Sequence, residues 1–271
     1  MKSAITISLV PQAKGGPFVY WDGLADGCAK AAALGFDAVE IFPPAANAID
    51  VAELTGLLDR HQLRAAAFGT GGGWLVHKWT LTHAEAKIRS QARDFIRAVI
   101  DLGGGFGAPT IIGSMQGRWE GDVSREQALA WLAEALEELG AHAATHGQAL
   151  LYEPLNRYET NLFHRVADTA DFLDTLRTRN VKILADLFHM NIEEASIPDG
   201  FRAAARHLGH VHFADSNRRA IGFGHTDIAP IIAALREIKY DGYLSAEIVP
   251  LPDTETAARQ TMESFRKVTR S

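Results

Sequence analysis

Short apolar runs and longer amphipathic stretches alternate along almost the whole of this 271-residue chain. The runs that read as strands cover residues 5–9, 38–42, 64–68, 110–113, 149–153, 181–186, 210–213 and 243–247. Stretches of helical length follow them at 21–34, 50–61, 83–102, 125–146, 166–178, 197–207, 228–238 and 256–268. Continuous apolar strands are the mark of a sheet buried on both faces, and parallel neighbours need a crossover of a dozen or more residues, usually a helix. Alternation therefore predicts an all-parallel sheet wrapped in helices, and eight repeats predict closure into a (β/α)₈ TIM barrel. The mass of 29.5 kDa and the 47% hydrophobic composition fit one barrel. No linker or low-complexity segment interrupts the pattern, so residues 1–271 read as a single domain. An open doubly wound sheet is the alternative, but no strand is followed by a Gly-rich phosphate loop.

Local signals refine the pattern. Thr82 with Glu85 and Ser124 with Gln127 have the spacing of a capping box. Gly35, Gly103, Gly140, Gly147, Gly209 and Gly242 are expected near helix ends, where left-handed backbone angles are common. Gly103-Gly104-Gly105-Phe106-Gly107 reads as a flexible turn at the end of the barrel remote from catalysis. Gly69-Thr70-Gly71-Gly72-Gly73-Trp74 reads as a loop after the third strand, leading to His77, Lys78 and Trp79 and able to act as a lid. After the fourth strand, Ser114-Met115-Gln116-Gly117-Arg118-Trp119-Glu120 offers polar groups to grip hydroxyls, and Trp119 to cover a carbon face.

Composition narrows the function classes. A net charge of −6 and a pI near 6.0 lack the basic footprint that phosphate backbones require, which argues against nucleic acid and for a small-molecule partner. Cys28 is the sole cysteine, so no internal disulfide forms, and it is expected as a small core residue of the first helix. The N-terminal segment alternates with period two and stops at Pro11, which marks a strand rather than a signal peptide. No apolar stretch approaches the roughly 20 residues needed to span a bilayer. A cytoplasmic protein without membrane partners is expected, and a homo-oligomer is left open.

Glu153, Asp186, His212 and Glu247 each end one of the last four strand-like runs. They lie 33, 26 and 35 residues apart, the length of a βα unit. Ionisable groups at the carboxyl ends of neighbouring parallel strands converge on one mouth of a barrel, where three carboxylates and an imidazole make a divalent-metal site. Taken singly, Glu153 or Glu247 reads more readily as a buried structural ion-pair partner; the converging set of four does not. His210 and His225 flank this mouth in sequence and are assigned parts either supporting the ligand side chains or purely structural.

The blocks Glu153-Pro154-Leu155-Asn156, Asp186-Leu187-Phe188-His189-Met190, His212-Phe213-Ala214-Asp215-Ser216-Asn217-Arg218 and Ser245-Ala246-Glu247 resemble, in order and spacing, the signatures of the xylose-isomerase-like sugar isomerase and epimerase superfamily. Within it they are most similar to the branch of D-tagatose 3-epimerase, D-psicose 3-epimerase and hydroxypyruvate isomerase. The resemblance covers the C-terminal half; the N-terminal half agrees in its barrel pattern. It implies that Glu153, Asp186, His212 and Glu247 are the metal ligands, with Glu153 and Glu247 doubling as an acid/base pair. It also implies that Glu159, His189 and Arg218 contact substrate oxygens. One divalent ion is expected, Mn²⁺ first, with Mg²⁺ or Co²⁺ as alternatives. The implied activity is metal-dependent sugar isomerisation or ketose 3-epimerisation through an enediolate, on a sugar or small hydroxy-carbonyl substrate. Two-faced proton transfer explains the need for two carboxylates. A lyase or dehydratase acting on a 3-keto sugar or glycoside, a non-catalytic sugar-binding barrel, and a DNA-repair nuclease on the same fold are the alternatives.

Overall fold

The computed structural model describes residues 1–270. Eight strands form a closed barrel in chain order: β1 (Lys2–Ser8), β2 (Ala38–Phe42), β3 (Arg64–Gly69), β4 (Thr110–Ile112), β5 (Leu150–Tyr152), β6 (Val181–Asp186), β7 (Leu208–His212) and β8 (Tyr243–Ala246). Every pairing is parallel, and β8 pairs with β1 to close the ring. The TIM barrel and each of its expected strands are therefore present, with shifts of up to three residues at their ends.

The helices are α1 (Leu24–Leu34), α2 (Val51–His61), α3 (Gly71–His77), α4 (Ala86–Gly105), α5 (Arg125–Thr145), α6 (Val166–Thr175), α7 (Leu187–Glu193), α8 (Ile197–Ala204), α9 (Ile228–Glu237) and α10 (Thr254–Arg270). Successive side chains of a strand point to opposite faces. Ile5, Ile7, Val39, Ile41, Ile183, Ala185, Val211, Leu244 and Ala246 turn outward into the large core shared with the helices. Phe42, Ala67, Ile111, Leu151 and Leu184 pack together inside the barrel. Ala4, Ala38 and Ala66 form a separate small cluster. Glu40, Glu153, Asp186, His210, His212 and Glu247 all carry the inward parity. Cys28 is buried in α1, as expected. Among the described residues no helix is long and apolar enough to cross a membrane.

Several local expectations are corrected. Thr82 caps nothing: Glu85 precedes α4, and the Thr82 hydroxyl donates to the carbonyls of Gln116 and Arg118, at 3.1 and 3.0 Å. This ties the loop after β3 to the loop after β4. Ser124 does cap α5, accepting from the Gln127 amide at 3.2 Å. Gly103, Gly104 and Gly105 form the last turn of α4 rather than a flexible turn. A side chain at Gly104 would strike the His146 ring, so the glycine lets α5 approach. Gly140 lies within α5 and Gly209 within β7, not at helix ends. Residues 71–77, expected as loop, are helical.

Candidate active site

The β6–β7 register sets Asp186 opposite His212, and inward parity brings Glu153 and Glu247, each one residue beyond its strand, to the same level. One ligand atom from each of Glu153, Asp186, His212 and Glu247 lies within 4.8 Å of all the others. Nδ1 of His212 sits 3.5 Å from Glu153 Oε1, 3.6 Å from Asp186 Oδ2 and 3.5 Å from Glu247 Oε2. All four residues are buried.

Three of these four residues present an uncompensated atom, as does His189. Glu153 Oε1, Asp186 Oδ2, His212 Nδ1 and His189 Nε2 are buried without a hydrogen-bond partner. Buried polar atoms are nearly always paired, so this convergence calls for a cation. Three carboxylates and one imidazole fit a divalent ion of fairly hard character.

The electrostatics follow from crowding. Burial pushes the Glu153 carboxyl up to about 8; the His212 imidazole opposes this, while the charges of Glu247 and Asp186 add to it. Glu247 is also raised, chiefly by burial, against the pull of His212 and Arg218. Burial would raise Asp186 as well, but His189, His212 and Arg218 hold it at about 2. Asp186 is further fixed as the cap of α7, its Oδ1 accepting from the Phe188 amide at 2.8 Å.

Glu40 on β2 belongs to this site and was not expected from the sequence. It is buried, and His212 Nε2 donates to its Oε1 at 3.0 Å while His210 Nε2 donates to its Oε2 at 2.7 Å. Despite burial, these two imidazoles hold Glu40 well below the usual carboxylate range. A proton fixed on Nε2 turns the Nδ1 lone pair of His212 toward Glu153, Asp186 and Glu247. The available signal was a carboxylate at inward parity within the apolar run Ala38-Val39-Glu40-Ile41-Phe42.

The three expected substrate contacts also gather here. His189 Nε2 lies 3.7 Å from both Glu153 Oε1 and Asp186 Oδ2. Its Nδ1 is 2.7 Å from Asn156 Nδ2, so it accepts that amide and leaves the proton on Nε2, facing the site. Burial lowers the His189 pKa, against the pull of Asp186 and Glu159. Arg218 Nη2 donates to Glu247 Oε2 at 2.6 Å, and the guanidinium lies 4.9 Å from the Phe188 ring centre. Glu159 Oε1 accepts from Asn156 Nδ2 at 2.9 Å and lies 3.6 Å from Arg218 Nη1.

The backbone at Arg218 is left-handed, φ 59°. Asp215 holds its loop by accepting from four backbone amides, those of Ser216, Gly222, Gly224 and Thr226. The strand preceding Glu153 is fixed differently. Gln116 Nε2 donates to the carbonyls of Glu153 and Gly113, at 2.9 and 3.0 Å, and the Tyr152 hydroxyl donates to Gln116 Oε1 at 2.5 Å. Gln116 is thus consumed internally and cannot grip a hydroxyl. Trp119 bonds Asn161 and lies outside the chamber lining. His210 serves Glu40, and the His225 amide bonds Ser216, in line with their structural assignment.

Above these residues opens a chamber of about 440 Å³. Phe18, Phe42, Trp74 and Leu75 supply its apolar walls, while Glu153, Glu159, His189, Arg218 and Glu247 supply its polar side. Its size suits a small organic ligand.

The family description "xylose isomerase-like TIM barrel" matches residues 28–268. The chain is similar to the L-ribulose 3-epimerase of Methylomonas sp. (strain DH-1), 32% identical over 243 residues, covering 86% of this chain and 83% of that protein. It is also similar to the 3-dehydro-D-guloside 4-epimerase of Escherichia coli (strain K12), 34% identical over 116 residues, covering 43% of this chain and 44% of that one. Among solved structures, a D-allulose 3-epimerase from Methylomonas sp. superposes with a TM-score of 0.80 at 28% identity, covering 99% of both chains.

Proposed function

Because the chain belongs to the xylose isomerase-like TIM barrel family, we propose that it is a metal-dependent sugar epimerase or isomerase, with ketose 3-epimerisation as its reaction type. The observation that carries this reading is the convergence of Glu153, Asp186, His212 and Glu247, with Glu153 Oε1, Asp186 Oδ2 and His212 Nδ1 buried and unpaired and with Glu153 and Glu247 lining the chamber.

A divalent ion held by these four residues supplies Lewis-acid stabilisation for negative charge that develops on the substrate oxygens. Mn²⁺ is the first choice, and the same oxygen and nitrogen donors serve Mg²⁺ or Co²⁺. The protein's own groups then position substrate and move protons. Inversion at a carbon beside a ketone requires removal of a proton from one face and delivery to the other, so one carboxylate of the pair acts as base and the other as acid. Arg218, bonded to Glu247 Oε2, fixes the direction of that carboxylate. Gln116 fixes the backbone of Glu153, and Gly113 leaves room for its carboxylate. His189 Nε2–H and the Arg218 guanidinium donate to substrate oxygens, and Glu159 accepts from a hydroxyl. The walls of Phe18, Phe42 and Trp74 cover carbon faces and exclude water.

Incubation of the Mn²⁺-loaded protein with a panel of ketoses, followed by NMR, tests the proposal. Formation of a C3 epimer or an aldose isomer supports it. Release of an eliminated fragment would instead make the protein a lyase.

A further inference from the structure

The chamber continues sideways into a second cavity of about 310 Å³, and Trp74, Ser114 and Glu159 line both. The outer walls of the second cavity come from the loop after β3, with Thr80 and His83, and the loop after β4, with Arg118 and Glu120. Glu153 and Glu247 line only the first. Proton transfer is therefore confined to one compartment, and a substituent on the reacting sugar has a defined place to go.

We propose that this second cavity is a subsite for a second sugar ring, so that the substrate is a neutral glycoside bearing its ketone on the ring beside Glu153 and Glu247. The proposal rests on the epimerase reading above, with inversion at a carbon flanking the ring ketone in place of C3 of a free ketose.

Three features support it. Two adjoining spaces of 440 and 310 Å³ exceed what one small sugar needs and match a ligand of two rings. Trp74, 36% exposed at the threshold, offers an aromatic surface to the axial C–H groups of a sugar, and Lys78 Nζ sits 4.7 Å from its ring centre. The surrounding polar groups are uncommitted: Thr80 Oγ1, Ser114 Oγ, Trp74 Nε1 and His83 Nε2 make no hydrogen bond within the described protein. His83 Nδ1 accepts from the Glu85 amide at 3.0 Å, which directs the other ring nitrogen outward as a donor.

Charge selects the class of ligand. Arg118 and Glu120 stand 3.9 Å apart and offset each other, so the cavity presents both donors and acceptors. Hydroxyls need both, whereas a phosphate would call for clustered cations. The similarity to a 3-dehydro-D-guloside 4-epimerase, a protein named for a glycoside, points the same way.

The test compares three probes with the Mn²⁺-loaded protein in D₂O: D-fructose, methyl 3-keto-β-D-glucopyranoside and 3-keto-cellobiose. Deuterium uptake beside the ketone should be at least about 10-fold more efficient, as kcat/KM, for the disaccharide than for the methyl glycoside. Arg118→Ala should lower the disaccharide value about 10-fold and leave the other two within about twofold. His83→Ala, on the loop after β3, should act in the same direction. A wild-type protein that prefers the single ring, or an Arg118→Ala change equal for all probes, overturns the subsite. If no probe exchanges deuterium, the epimerase reading fails, and calorimetry with cellobiose and glucose decides the subsite alone. Tighter cellobiose binding that Arg118→Ala abolishes supports it; equal affinities overturn it.

Discussion

Glu40 on β2 receives the Nε2 proton of His212 on β7 at 3.0 Å, across the barrel and 172 residues away in sequence. The bond leaves His212 Nδ1 facing Glu153, Asp186 and Glu247. Orientation of a ligand imidazole by a buried carboxylate raises its basicity and fixes its tautomer, and loss of such a partner costs about 10- to 100-fold in metal affinity.

Glu40→Gln preserves volume but removes that charge. We expect a roughly 10- to 100-fold weaker Mn²⁺ affinity by titration calorimetry, with the barrel still folded by circular dichroism. In the wild type, chelation should remove turnover, and saturating Mn²⁺ at 100 times its Kd should add about 2.7 kcal/mol of stability. Unchanged Mn²⁺ affinity in Glu40→Gln would show that the Glu40 bond does not tune the site.

Gly113 is required by space. A Cβ built there lies 2.7 Å from Glu153 Oε2. Gly113→Ala should push that carboxylate aside while Asp186, His212 and Glu247 still provide ligands. The expected loss in kcat/KM is about 10²-fold, the scale of a misplacement near 1 Å, with a smaller effect on metal affinity. Activity within twofold of wild type would mean that the position of Glu153 is not critical.

Asp215 couples loop geometry to pH. Burial would raise its pKa, but the amides of Thr226, Ser216, Gly222 and Gly224 overcome this and hold it below the usual value. A carboxylate with a depressed folded-state pKa contributes stability above its unfolded pKa of about 3.9, and that contribution is lost as pH falls through the folded value. Asp215→Asn should therefore cost about 2–3 kcal/mol at pH 7, the scale of hydrogen bonds to a charged group. The difference from wild type should shrink below about pH 4. Urea melts at both pH values measure this; a pH-independent difference would exclude the ionised carboxylate as the cause.

The barrel was legible because strand and helix patterns alternate with lengths that only a parallel, helix-covered sheet accommodates. The strand ends carrying Glu153, Asp186, His212 and Glu247 were legible because an ionisable group closing an apolar run is conspicuous. Glu40 was not, because its partners His210 and His212 are adjacent only after closure. Gln116 misled for the opposite reason: a polar side chain in a loop at the mouth is spent on the backbone of Glu153 and Gly113. Gly103 to Gly105 looked like a turn on propensity, yet they close the last turn of α4, where Gly103 lies against Ala108 and Gly104 against His146. Thr82 had a capping-box spacing, but its hydroxyl found carbonyls 34 and 36 residues away.

In the proposed reaction Glu153 and Glu247 pass a proton to and from the carbon beside a sugar ketone. The most direct measurement is NMR detection of deuterium incorporation at that carbon in D₂O, comparing wild type with Glu247→Gln, both loaded with Mn²⁺. The wild type is expected to place deuterium at the reacting carbon and form the epimer or isomer. Glu247→Gln should do both about 10²- to 10⁴-fold more slowly, while retaining measurable metal. Sugar binding with no exchange and no product in the wild type, and equal binding by Glu247→Gln, would contradict it and leave a sugar-binding barrel.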